Sequence, residues 1–215
     1  MTPRSTKANY KWAFKARFRA RAFGWKSQPA ITRVREAVAE IKKVGKRDPV
    51  LAAEGAIIFI ERVSAALEQV DSSSGAIGSA VNHAVADLAD IIGGAQVDGA
   101  TRRSWLELLW LAYVNDQIPY IESLGDHWGE LCSTKEIASE WADRLVDGLR
   151  ENWTADPRKS GYYKGTPNCL GAMVAAGRYD EVMALLELAP YKMWDHQPGG
   201  DRSHGRAARD QDSGM

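Results

Sequence analysis

Apolar positions along this chain recur at three- and four-residue spacing almost throughout, which predicts helices and little else. Pro29 opens a helix whose stripe is Ile31, Val34, Val38, Ile41 and Val44. Gly45 closes it behind Lys42 and Lys43, as a helix C-terminus prefers. Asp48-Pro49 supplies an N-cap and an N1 proline for a second helix that runs to about Gln69. Its stretch 50–63 is apolar nearly all round and predicts a central helix covered on several sides. The turn Asp71-Ser72-Ser73-Ser74-Gly75, ending in serine caps, leads to a third helix with Ile77, Val81, Val85, Leu88 and Ile92 on one stripe, closed at Gly93-Gly94. A fourth begins at about Asp98 and carries Trp105, Leu106, Leu109, Trp110 and Tyr113. Pro119 and Asp126 mark short helical pieces. Ser133-Thr134-Lys135-Glu136 reads as a capping box before a fifth long helix with Ile137, Trp141, Leu145 and Leu149 spaced four apart.

The most specific pattern comes late. Thr166-Pro167 starts a helix through Leu170, Met173 and Val174 to Ala176, and Val182, Leu185, Leu186 and Leu188 form a return helix with Pro190 after it. The turn between them, Ala175-Ala-Gly-Arg-Tyr-Asp-Glu181, is similar to the helix A–helix B turn of tetratricopeptide-type repeats. No second copy follows at a 34-residue offset, so a single repeat-like hairpin is expected. Residues 195–215 contain no Val, Ile, Leu or aromatic side chain and are expected to be a disordered polar tail. The surface from Leu185 to Trp194 then ends without an obvious cap, which points to a shortened or frame-shifted chain or to a naturally flexible tail.

Residues 14–22 alternate apolar residues with Lys and Arg, the one stretch that could read as strand. Tyr10, Phe14 and Phe18 also share a helical face, and the surroundings favour helix. The fold class is therefore all-α, with seven to nine helices as irregular antiparallel hairpins in a short α-solenoid that closes on the tetratricopeptide-like hairpin. Three regions are expected: a basic, aromatic-rich arm or first helix at 1–28, a helical domain at 29–194, and the tail at 195–215.

Several stretches carry a resemblance: Trp12-Ala-Phe-Lys-Ala-Arg-Phe18, Ala22-Phe-Gly-Trp-Lys-Ser-Gln-Pro-Ala30, Lys46-Arg-Asp-Pro-Val-Leu-Ala-Ala-Glu-Gly55, Gln69-Val-Asp-Ser-Ser-Ser-Gly-Ala-Ile-Gly78 and Ala189-Pro-Tyr-Lys-Met-Trp194. Over about residues 10–194 the chain resembles an uncharacterised bacterial family of helical proteins, a domain of unknown function that is helical-repeat-like towards its C-terminus. The resemblance implies a fold and no activity. It also implies further helices after the Tyr-Lys-Met-Trp segment, and so a truncated chain.

Charge changes the picture more than composition does. Residues 1–47 hold 14 Lys/Arg against Glu36 and Glu40, a formal +12, and the remaining 168 residues of the 215 carry −12. Such asymmetry points to nucleic acid, an anionic membrane surface or an acidic partner, or to the chain's own acidic part. Lys11, Lys15, Arg17, Arg19, Arg21 and Lys26 interleave with rings that include Trp12 and Trp25, a combination suited to RNA or single-stranded DNA. The competing reading docks the rings on the core, with the cations facing solvent or the acidic helices, and the helical spacing of the rings favours it.

No segment suggests enzyme chemistry. His127-Trp128 lacks a nucleophile placed by any known motif. Glu54 and Glu61 on one helix, with His83, Asp87 and Asp90 on the next, lack the Glu-x-x-His pairs of di-metal bundles. Gly75-Ala-Ile-Gly78 has the spacing of a KH clamp without the sheet it needs. Gly161-Tyr-Tyr-Lys-Gly165 reads as an aromatic ligand loop or, more simply, as a connection. Cys132 and Cys169 read as buried, reduced thiols. The longest apolar run, Gly55-Ala-Ile-Ile-Phe-Ile60, is too short to span a bilayer, and no secretory signal is visible. No catalytic residue, metal or cofactor is expected. The expectation is a cytoplasmic interaction scaffold that holds an unknown protein or peptide in a groove of Trp105, Trp110, Tyr113, Trp128, Tyr162 and Tyr163. The alternative is a nucleic-acid-associated protein working through the arm.

Overall fold

A computed structural model describes residues 10–154 and 161–189; the expected polar tail and the segment after residue 189 lie outside the described residues. Those residues are all-helical, with eight α-helices and no strand. They are α1 Ser27–Gly45, α2 Pro49–Leu67, α3 Ala76–Gly94, α4 Gly99–Val114, α5 Trp128–Cys132, α6 Lys135–Asn152, α7 Thr166–Ala176 and α8 Tyr179–Glu187, with a 3-10 helix at Glu122–His127 before α5.

The predicted stripes become the core. Ile31, Val34, Val38 and Ile41 of α1 are buried, as are Ile137, Trp141, Leu145 and Leu149 of α6. Helix α2 buries residues from Ala52 to Leu67 on most of its circumference, as its all-round apolar pattern requires. Helices α1, α2 and α3 pack on one another, α3 meets α5, α5 meets α7, and α7 lies along α6. Helix α2 also packs on α4, and the pairs Arg103–Glu140 and Arg144–Glu107 tie α4 to α6.

Most ends follow the local chemistry. Asp48 accepts from the Leu51 N–H at 2.9 Å and Asp98 from the Thr101 N–H at 2.7 Å, each satisfying a donor that the helix leaves unpaired. Two expected caps move. Helix α3 is preceded by Gly75 in the left-handed region (φ 70°), so a glycine takes the place of a serine cap. The cap of α6 is Thr134, whose hydroxyl accepts from the Ile137 N–H at 3.3 Å; Ser133 is spent on ending α5, with φ 63°.

Two tight features hold the middle together. Helices α5 and α7 approach so closely that a Cβ on Gly129 would sit 2.4 Å from the Gly171 carbonyl oxygen. Buried Arg102 donates to the carbonyls of Ile92 (2.7 Å) and Ala95 (2.6 Å) at the end of α3, where the helix dipole favours a cation.

The arm departs from expectation. Residues 10–26 form neither helix nor strand, but a chain of turns laid over α1 and α2. The reason is that other elements capture its backbone. The N–H groups of Ala13 and Phe14 donate to the Glu40 carboxylate at 2.8 and 3.2 Å, and that of Arg21 to the Ala65 carbonyl at 2.8 Å. The Arg21 N–H, spent on the Ala65 carbonyl of α2, is not available to continue a helix through the arm.

Candidate functional site

Three places could carry function: the arm, the aromatic residues around α4, and the outer face of the last hairpin.

In the arm, Trp12, Phe14 and Phe18 turn inward. Trp12 (5% exposed), Phe14 and Phe18 are buried, with Phe14 and Phe18 edge-on to Phe59 of α2 at 5.9 and 5.1 Å. The Trp12 indole lies over Gly55, where any Cβ would come within 2.3 Å of the ring. Trp12 therefore cannot stack on a base, which corrects its expected role. Trp25 is 72% exposed and stays available.

The cations turn outward: Lys11, Lys15, Arg17, Arg19, Arg21 and Lys26 are all exposed. The acids that receive some of them come from both parts of the chain, Glu36 from the basic region and Glu68 from the acidic one. Glu36 of α1 pairs with Arg17 (3.1 Å) and with Arg33 (2.6 Å), and Glu68, just past the end of α2, accepts a two-pronged contact from Arg21 at 3.0 and 3.1 Å. The Arg21 hydrogen bond holds the Glu68 carboxyl below its ordinary value. Arg19, Lys11 and Lys26 have no ion-pair partner among the described residues. Rings and backbone hydrogen bonds fix the arm, then, and part of its charge is left unspent.

The aromatic groove expected around α4 is not a groove. Trp105, Tyr113 and Trp128 are buried, and Trp110 packs on Tyr113, Trp128 and Trp141 at 5.7 to 5.9 Å between centroids. Rings this large cover the junction of α4, α5 and α6, and burying them there is worth more than displaying them. Tyr163 is wedged against Gly148 and Gly165, and Lys164 donates to the Asp116 carbonyl at 2.7 Å, so residues 161–165 serve as an anchored connection. Of the six expected groove residues only Tyr162 is exposed, with its hydroxyl on Glu122.

The side chains proposed for chemistry are dispersed. His127 is half-buried and faces Glu130 at 3.4 Å. Burial pushes the Cys132 thiol up to about 12 and the Cys169 thiol up to about 11, so both stay protonated at neutral pH. Among the described residues no three metal-ligating side chains converge, and no helix is long and apolar enough to cross a membrane.

The last hairpin, whose surface from Leu185 onward was expected to lack a cap, presents apolar side chains at Tyr179 and Met183 that the expectation did not include. Gly177 (φ 81°) makes the turn, and Arg178 clamps it through Glu181 (2.7 Å) and Asp143 of α6. Helix α8 rests on α7, and Leu185 is its one buried residue. Val174 of α7, Tyr179 (62%) and Met183 (63%) of α8, and Leu188 just past its end are exposed. The signal was present in the spacing 179, 183, a second apolar row beside Val182, Leu185 and Leu186.

No family model, curated protein or solved structure matches the chain.

Proposed function

We propose that this protein is a cytoplasmic helical scaffold whose α7–α8 surface holds an amphipathic helix of a partner protein. The observation that carries the reading is the exposed apolar pair Tyr179 and Met183, one turn apart on α8, with Val174 exposed on α7, on a hairpin whose turn is made by Gly177 and clamped by Arg178. A preorganised face loses little entropy when a partner binds. Helix α8 also carries Asp180 and Glu187, besides the Glu181 that Arg178 holds, with no Lys or Arg of its own. The complementary occupant is a helix with apolar residues at i, i+3/i+4 and i+7 and with Lys or Arg at its edges.

The order of packing supports a solenoid reading. Alternate helices α1, α3, α5 and α7 each touch the next, as in stacked hairpins. The tetratricopeptide-like turn at 175–181 and kinship with the uncharacterised bacterial helical family belong to the same proposal.

A displayed library of amphipathic helical peptides, selected on the immobilised protein, tests it. Selected peptides should be basic-edged, and should bind Met183→Lys at least about tenfold more weakly, a loss of about 1.4 kcal/mol. Binding to Leu111→Lys, which alters an exposed apolar residue of α4, should not change. Peptides that bind Met183→Lys as well as the wild type, or a selection that enriches none, would overturn the proposal.

A further inference from the structure

Where the arm passes over α1 it forms a cup of about 610 Å³ lined by Arg17, Arg19, Arg21 and Arg33, together with alanines and Phe23. Four guanidinium groups surround this space, and their ion-pair partners are two carboxylates. Both Arg17 and Arg33 lean on a single oxygen of Glu36, and Arg21 engages Glu68. Among the described residues Arg19 has no acid, so there the cup carries a formal excess of two positive charges and one planar fork without an acid. Such forks match phosphate oxygens in pairs, which lysine cannot do.

The backbone of the cup is fixed in an uncommon form. The Ala22 N–H bonds back to the Arg19 carbonyl at 3.0 Å, closing a four-residue turn whose third residue, Arg21, has φ 56°. Turns usually place Gly or Asn there. An arginine persists because its N–H is held by Ala65 and its side chain by Glu68. Strain held this way keeps Arg17, Arg19 and Arg21 on one short path beside Arg33.

Trp25 completes the arrangement. It stands two residues past Phe23, so its Cα lies within about 7 Å of a residue that lines the cup. Its indole is 72% exposed, and its backbone is anchored by the Asp71 N–H at 2.9 Å. An open ring on an anchored backbone, two residues from a residue that lines a cluster of arginines, suits a strand whose bases are unpaired. An anionic membrane is matched less well, because an interfacial segment shows an apolar helix face and this arm buries Phe14 and Phe18.

We propose that the Arg17–Arg19–Arg21–Arg33 cup binds the backbone phosphates of single-stranded nucleic acid, with Trp25 stacking on an adjacent base. The site lies on α1 and the arm, away from the α7–α8 surface, and stands whether or not that surface binds a helix.

Fluorescence anisotropy with fluorescein-labelled dT20 and rU20 tests it on the full chain. With Arg17, Arg19 and Arg33 each meeting a phosphate, affinity should fall about 20-fold between 50 and 200 mM salt, from a slope near −0.7 per phosphate. Arg19→Glu should weaken binding at least about tenfold at 50 mM salt, and Trp25→Ala several-fold. The double charge reversal Lys46→Glu/Arg47→Glu, at the α1–α2 turn, should leave binding within about twofold, so that net charge is separated from the site. Absence of binding to both oligonucleotides at 50 mM salt would overturn the proposal. So would Arg19→Glu binding like the wild type, equal losses in the two charge-reversed proteins, or sedimentation with phosphatidylserine vesicles without oligonucleotide binding.

Discussion

The two ends of the described chain solve the same surface problem in opposite ways. The arm at 10–26 has rings and cations in alternation; it buries Trp12, Phe14 and Phe18 and shows its charge. The α7–α8 hairpin is acidic; it buries Leu185 of α8 and shows Tyr179 and Met183. An irregular segment with no helix of its own is thus part of the core, and a regular helix is nearly peripheral to it. Regularity of backbone does not measure how much a segment contributes to stability; buried area does.

Substitutions can break that contrast, starting with the largest effect. Trp12→Ala should lower stability by about 4 kcal/mol in denaturant unfolding, the usual cost of emptying a large ring's site. An arm that merely rested on the surface would lose under about 0.5 kcal/mol. Gly55→Ala should cost about 2 kcal/mol, because its new Cβ falls inside contact distance of the Trp12 ring. In the Trp12→Ala background that cost should vanish, and the coupling measured by the double-mutant cycle assigns it to the pair.

At the other end, Met183→Lys should move stability by no more than about 0.5 kcal/mol in either direction, since its side chain is mostly in water. A loss comparable to that of Trp12→Ala would place α8 in the core and remove the contrast.

The smallest effect is a pH dependence. Glu68 has its carboxyl held below its ordinary value of 4.5 by Arg21. An acid depressed in the folded state contributes stability that is present above its unfolded value and lost as pH falls through its folded value. Arg21→Gln should therefore melt slightly below the wild type at neutral pH, and the gap should close as pH falls below about 4.5. A gap that widens on acidification would contradict the ion pair.

The helices were legible because each signal was local. Asp48 and Asp98 cap from the helix's own end, and stripes such as Ile137 to Leu149 need only one partner surface. The arm was not legible as a conformation, because what decides it is remote: Glu40 is 27 residues from Ala13, and Glu68 is 47 from Arg21. Its inward rings were foreseen, but by way of a helical spacing that the chain does not adopt. The acids expected to receive it were those of the other helices at large; Glu68 is one of these, whereas Glu36 and Glu40 are the two acids inside the basic region itself.

The site was legible in part. The cations from Lys11 to Lys26 face solvent as a nucleic-acid reading needs, and Trp25 with them, but Trp12 does not. Arg33 was missed because it joins the cup through the fold, seven residues past Lys26 on another element. The groove of Trp105, Trp110, Tyr113 and Trp128 failed for a physical reason. A sequence shows where rings are abundant, and abundance at helical spacing is what a core requires.

The most direct test of the arm as part of the fold is native-state amide hydrogen exchange at Ala13, Phe14 and Arg21, whose N–H groups bond to Glu40 and Ala65. The structure predicts protection close to that of α1 and α2, lost together with theirs in Trp12→Ala. Exchange at the rate of a free peptide, with α1 and α2 still protected, would contradict it.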